Sequence, residues 1–76
     1  MFSKKLFGQR ILEQRKKQKK TQQDLANLLG VGKSHISEIE HGNRTTTAEK
    51  IAQICDYFKV SADYLLGLSD NPKPRK

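Results

Sequence analysis

Lys33, Ser34, Ser37, Glu38 and His41 are polar residues spaced to fall on one side of a short helical segment. At 100° per residue they share an arc of about 140°, with His35, Ile36, Ile39 and Glu40 on the other side. The arc carries hydrogen-bond donors and acceptors and no large apolar group. A helix that docks on protein more often presents Leu, Phe or Trp. This surface suits hydrogen-bonded recognition of a polar partner, with Ile36 and Ile39 anchoring the helix behind it. Covalent chemistry is not indicated: no nucleophile–base pair or phosphate loop can be assembled from these residues, so the chain does not read as an enzyme. His35 and His41 are six positions apart, not the i, i+4 of a helical metal pair. A single cysteine, Cys55, rules out an internal disulfide and a two-cysteine metal site. No metal or cofactor is expected.

The arc needs a support, and the preceding residues predict one. Thr21 is a good N-cap for a helix from Gln22 to Leu29. Asp24 falls at N3, where a carboxylate favours the free N–H groups and the positive end of the helix dipole. Gly30 stops this helix because glycine adopts the left-handed conformation without a Cβ penalty. Val31 and Gly32 form a turn into a helix from about Lys33 to Glu40, ended by Gly42. Residues 22–41 therefore read as two short helices joined by a tight turn. Ala26 is small where the two would approach closest, and Leu25, Leu29 and Val31 complete a local core. Such a pair can hold one helix rigidly while its outer face enters a DNA groove. The loop Asn43-Arg44-Thr45, with His41, follows the outer helix. It would lie near the sugar-phosphate backbone or face solvent as an ordinary turn.

The flanking segments continue the helical pattern. Ser3 caps a first helix from about Lys4 to Lys17, with Leu6, Phe7, Ile11 and Leu12 on one stripe. Thr46 or Thr47 caps a fourth; Thr46 with Glu49 at N3 would form a capping box. Ile51, Ala52, Ile54, Cys55 and Phe58 recur at helical spacing, and Cys55 reads as a small core residue. Ser61 caps a short fifth helix ending near Leu66-Gly67. No segment has strand period, so the expected fold is all-α: five short helices around one core spanning 1–68. Residues 69–76 are expected as a basic, disordered tail.

Seventy-six residues make one domain, too small for a cleft backed by a second layer. No apolar run is long enough for a membrane span, and the N-terminus lacks a signal peptide's apolar stretch. A cytoplasmic location is expected. The formal charge is +7, and eight of the 15 basic residues lie in the first 20 positions (Lys4, Lys5, Arg10, Arg15, Lys16, Lys17, Lys19, Lys20). Clustered cations of this kind are the footprint of a polyanion binder, although a solvated helix face would look the same.

With these residues in place, the chain resembles the phage repressor and Cro type of helix-turn-helix domain, the XRE family. The resemblance runs through Phe7-Gly8-x-Arg10-Ile11, Thr21-Gln22, Ala26, Gly30, Ile36, Ile39, Glu40-His41-Gly42 and Val60-Ser61-x-Asp63-Tyr64-Leu65-Leu66, covering about residues 6–67. It implies a lambda-repressor-like fold and a sequence-specific DNA-binding regulator, a repressor of bacterial or phage type. By that resemblance Lys33, Ser34, Ser37 and Glu38 occupy base-reading positions: Lys33 would donate to guanine and Glu38 accept from cytosine N4. Gln22 would clamp a phosphate at the start of its helix, beside the capping Thr21. Arg15 on the first helix would pair with Glu40 as a structural ion pair. His35, on the packed side, reads as a satisfied or edge-packed core histidine.

One module makes few contacts, so the expected partner is a pseudo-palindromic duplex operator bound by a homodimer, with half-sites about 34 Å apart. Tyr64, Leu65, Leu66 and Leu68 are candidates for the dimer surface or for closure of the core. No small-molecule site is evident. The competing readings are a protein-interaction module, such as an antitoxin component, and a non-specific binder acting through the lysine-rich first helix. The sequence also departs from the family pattern. Lys19-Lys20 replaces a glycine and an apolar residue, Gln14 stands where leucine is common, and Thr46 where proline is common. Gly32 replaces a serine or threonine and leaves the reading helix without a side-chain cap.

Overall fold

Four hydroxyl side chains set where helices begin in the computed structural model, which describes residues 2–73. The Ser3 hydroxyl accepts from the Leu6 N–H at the start of α1, Lys4–Lys17. Thr21 opens α2, Gln22–Leu29, with a full capping box: its hydroxyl accepts from the Asp24 N–H, and the Asp24 carboxylate accepts from the Thr21 N–H. Gly32 precedes α3, Lys33–Glu40, which has no side-chain cap. Thr47, not Thr46, caps α4, Ala48–Phe58, accepting from the Lys50 N–H. The capping box expected of Thr46 and Glu49 therefore does not form, because the helix begins one residue later. Ser61 caps α5, Ala62–Leu65. Among the described residues all regular structure is helical.

Turn chemistry orients α2 against α3. Gly30 sits at φ 70°, and the N–H groups of Gly30 and Val31 both donate to the Ala26 carbonyl. This satisfies a carbonyl the α2 ladder leaves open and swings the chain into α3. The turn between α1 and α2 is less comfortable. Lys19 takes φ 58°, the left-handed conformation that a glycine would adopt without strain.

The core is one cluster drawn from every helix: Phe7, Ile11, Leu25, Ala26, Leu29, Ile36, Ile39, Ile54, Phe58, Val60, Tyr64 and Leu65. Cys55 is only partly buried and packs at its edge, and burial pushes its thiol pKa up. Two buried residues have no apolar side chain. Gly8 of α1 lies so close to α3 that a Cβ there would be 1.9 Å from the Ile39 carbonyl oxygen. Gln14 is also buried; the Gln18 side-chain amide donates both to Gln14 Oε1 and to the Phe58 carbonyl, tying α1 to the end of α4.

The C-terminal segment differs from expectation. Residues 69–73, read above as part of a disordered basic tail, return to the domain; residues 74–76 of that tail lie outside the described residues. The Arg10 guanidinium donates to the carbonyls of Tyr64 and Ser69 and to the Asp70 carboxylate. It also lies 4.3 Å from the centre of the Tyr64 ring. The Ser61 N–H donates to the Pro72 carbonyl at 2.9 Å. Composition suggested a free end because Pro, Lys and Arg form no core. The segment is held instead by backbone hydrogen bonds and one inward cation. Tyr64 and Leu65, candidates for a dimer surface, close the core, while Leu68 remains largely exposed.

Candidate nucleic-acid interface

Ile36 and Ile39 are fully packed against the other helices, and Ala26 lets α2 approach α3 closely. The opposite face of α3 is thereby fixed outward. Lys33, Ser34, Glu38 and His41 are exposed and Ser37 is half-buried, so the proposed reading residues do share one accessible face. Thr21, Asn43, Arg44 and Thr45 are exposed beside it, and Gln22 is half-buried.

Several of these side chains already have internal partners, which the spacing alone did not reveal. His41 Nδ1 lies 2.7 Å from the Ser37 carbonyl, closing the end of α3. Arg44 donates to Glu38 Oε1 at 2.9 Å. Gln22 donates its side-chain amide to Glu40 Oε1 at 2.9 Å, so part of its hydrogen-bonding capacity points inward rather than to solvent.

Arg15 and Glu40 form the buried joint of the module. Arg15 Nε and Nη2 meet the two Glu40 oxygens at 2.6 and 3.1 Å, and Nη1 donates to the Lys20 carbonyl at 3.0 Å. The Glu40 side chain is 3% exposed. Two side chains, Arg15 of α1 and Gln22 of α2, thus bring three N–H donors to this carboxylate. Arg10 and Arg15, counted among the basic cluster, are both turned inward. Within that cluster the outward charge comes from lysines.

Beside the joint, Arg15, Lys20, Thr21, Gln22, Gln23 and Lys33 line a cleft of about 300 Å³. It opens at the N-terminus of α2, where first-turn N–H groups lack helical partners and the dipole is positive. Lys20 and Lys33 flank it. Lys5 stands against the backbone of Gly42, at the root of the exit loop.

Of the two placements expected of His35, satisfied or edge-packed, the structure shows the edge-packed one. Its ring is only partly buried, but Nε2 is enclosed and has no hydrogen-bond partner. Burial first, and then the Arg44 cation, push its pKa below the ordinary 6.5. Between the lowered value and 6.5 the unfolded chain binds more protons than the native one. Stability should be full above pH 6.5 and fall as the pH drops below it. Urea unfolding of the wild type and His35→Gln between pH 7.5 and 5 should show a shallower acid loss in the variant; parallel curves would mean that the ring is solvated.

This architecture, an outward-facing helix carried on a second helix through a glycine turn, defines a helix-turn-helix module. Residues 8–70 match the family model described as "Helix-turn-helix domain", and the chain belongs to that family, in its phage repressor and Cro type. It is 33% identical over 70 residues to the uncharacterized HTH-type transcriptional regulator YobD of Bacillus subtilis strain 168, covering 92% of this chain and 62% of YobD. The chain thus spans less than two thirds of that relative's length. The P22 c2 repressor, solved in complex with a synthetic operator, superposes with a TM-score of 0.73 at 33% identity, over 79% of this chain and 91% of the repressor chain. The restriction-modification controller protein C.AhdI from Aeromonas hydrophila superposes with a TM-score of 0.72 at 27% identity, over 82% of this chain and 94% of that one.

Proposed function

We propose that this domain reads duplex DNA by placing α3 in the major groove, and that it serves as a transcriptional regulator acting by occupancy, a repressor, in the cytoplasm. The observation that carries this reading is the outward arc of α3. It is polar, supported from behind by Ile36 and Ile39, and braced at its end by the Arg15–Glu40 joint. Lys33, Ser34, Ser37 and Glu38 face base edges. Thr21, Gln22, His41, Asn43 and Thr45 face the sugar-phosphate backbone, with Lys20 beside the α2 cleft, while Arg44 from the same loop is paired with Glu38. Function is binding, not catalysis. A homodimer on a pseudo-palindromic operator supplies the contacts that one module lacks.

Binding-site selection from a random duplex library at about 150 mM salt, where exposed charges are screened, tests the reading. Enrichment of a two-fold-symmetric motif supports it. Recovery of unselected DNA would reduce α3 to scaffold and favour a non-specific role for the lysines. On the selected site, Lys33→Ala should relax preference at one base pair and cost about 1–3 kcal/mol in binding. Equal weakening on every sequence would place Lys33 on phosphate instead.

A further inference from the structure

Glu38 poses a problem for the proposed reading: a carboxylate on the groove-facing surface is repelled by phosphates. The fold supplies an answer in the exit loop. The Gly42 N–H donates to the Ile39 carbonyl and the Asn43 N–H to the Glu38 carbonyl, both at 3.0 Å. These bonds turn the loop back over the last turn of α3. Gly42 makes the turn at φ 80°, and a Cβ there would come within 2.9 Å of the Lys5 Cα, so the loop is also seated against α1. Arg44 is delivered beside Glu38 and donates from Nη1 to Oε1 at 2.9 Å.

We propose that Arg44 is a positioning residue for base recognition: it holds the Glu38 carboxylate by Oε1, offsets its charge and presents Oε2 to an exocyclic amine on a base edge. This rests on the reading of α3 as the groove helix. Both side chains are about half exposed, 48% for Arg44 and 54% for Glu38. In the free protein such a pair contributes little to stability. In a groove that excludes water the attraction strengthens, and the pair approaches phosphate as a neutral unit. A free glutamate would lose rotamer freedom and meet repulsion on entry. An amine donor, cytosine N4 or adenine N6, is the base-edge chemistry that the remaining oxygen can accept. His35 and Lys50 stand near the same pair: Arg44 and Lys50 press the His35 ring towards neutrality while Glu38 opposes them.

The test uses site selection followed by anisotropy titration of the selected duplex and its single-base variants with wild type, Glu38→Gln, Arg44→Ala and the double variant. Arg44→Ala should lose about five- to tenfold of the discrimination at the same base pair that Glu38→Gln relaxes. The double variant should lose no more there than either single one, because the two act as a unit. Both positions are exposed, and thermal melts should be unchanged. Uniform weakening on all sequences by Arg44→Ala, with base preference intact, would overturn the proposal and make Arg44 a phosphate contact. So would a selected motif that Glu38→Gln leaves unaltered. If the wild type selects no motif, the groove reading itself fails, an outcome distinct from both.

Discussion

Gly8→Ala should destabilise the domain by about 3 kcal/mol or more, lowering Tm by on the order of 10–20 °C for a chain this small. On helix propensity alone the same change would stabilise by roughly 0.5–1 kcal/mol, because alanine loses less backbone entropy than glycine. The contact outweighs this. The added Cβ would lie 1.9 Å from the Ile39 carbonyl oxygen and 3.2 Å from the Glu40 carbonyl carbon. Those atoms are backbone and cannot rotate away. Relief requires α1 and α3 to separate, which would open the packing around Phe7, Ile11, Ile36 and Ile39. Separation would also shift the outer face of α3 relative to α2, so DNA binding should fall more than stability alone accounts for. Thermal and urea denaturation measure the first effect and operator titration below the transition the second. A Tm within about 2 °C of wild type would show that the two helices can part at little cost.

Arg15→Ala should cost about 3–5 kcal/mol, the usual effect of leaving a buried charge without its partner. Glu40 would keep only the Gln22 amide, and the Lys20 carbonyl would lose the Arg15 Nη1 donor. Simultaneous replacement by apolar residues, Arg15→Met with Glu40→Leu, should recover much of the loss, because apolar residues of similar volume need no partner. The recovered protein should nonetheless bind DNA less well. Gln22 would no longer be held by Glu40, and the α2 cleft would lose the Arg15 wall. Urea unfolding of the two single variants and the double variant separates these terms. A loss under 1 kcal/mol for Arg15→Ala would mean that water reaches Glu40 and screens it.

Much of the architecture was legible from neighbouring residues. Thr21 with Asp24, Gly30 and Ser61 mark helix ends because a cap is made within a few positions of the helix it caps. The 3.6-residue period separated Ile36 and Ile39 from the outward arc without knowledge of the fold. The resemblance supplied Arg15 and Glu40, which are 25 positions apart, and the structure brings them together. Thr46 and Thr47 are adjacent residues of the same type, so local cues leave both as caps, and the start of α4 at Ala48 makes Thr47 the one used.

Other features had no local signature. Arg10 looks like one of several exposed cations, yet it binds a segment 54 to 60 positions away and turns a supposed tail into part of the domain. Tyr64 and Leu65 could have faced a second subunit and instead complete the core. His35 is edge-packed, one of the two placements its position in the helix allows, but only the surrounding elements decide that Nε2 is enclosed without a partner. Gln22 and Glu38 looked like free recognition groups, and each is held by another side chain.

By itself the sequence determined five helical segments, the caps of all but the fourth, the polar arc of α3 and an excess of positive charge, because periodicity, capping and composition are properties of residues near one another in the chain. Only the tertiary structure decided the close approach at Gly8, the inward turn of Arg10, the return of residues 69–73 and the pairing of Arg44 with Glu38. These depend on where separate elements cross in space. A side chain that can face either solvent or a partner takes its role from that crossing.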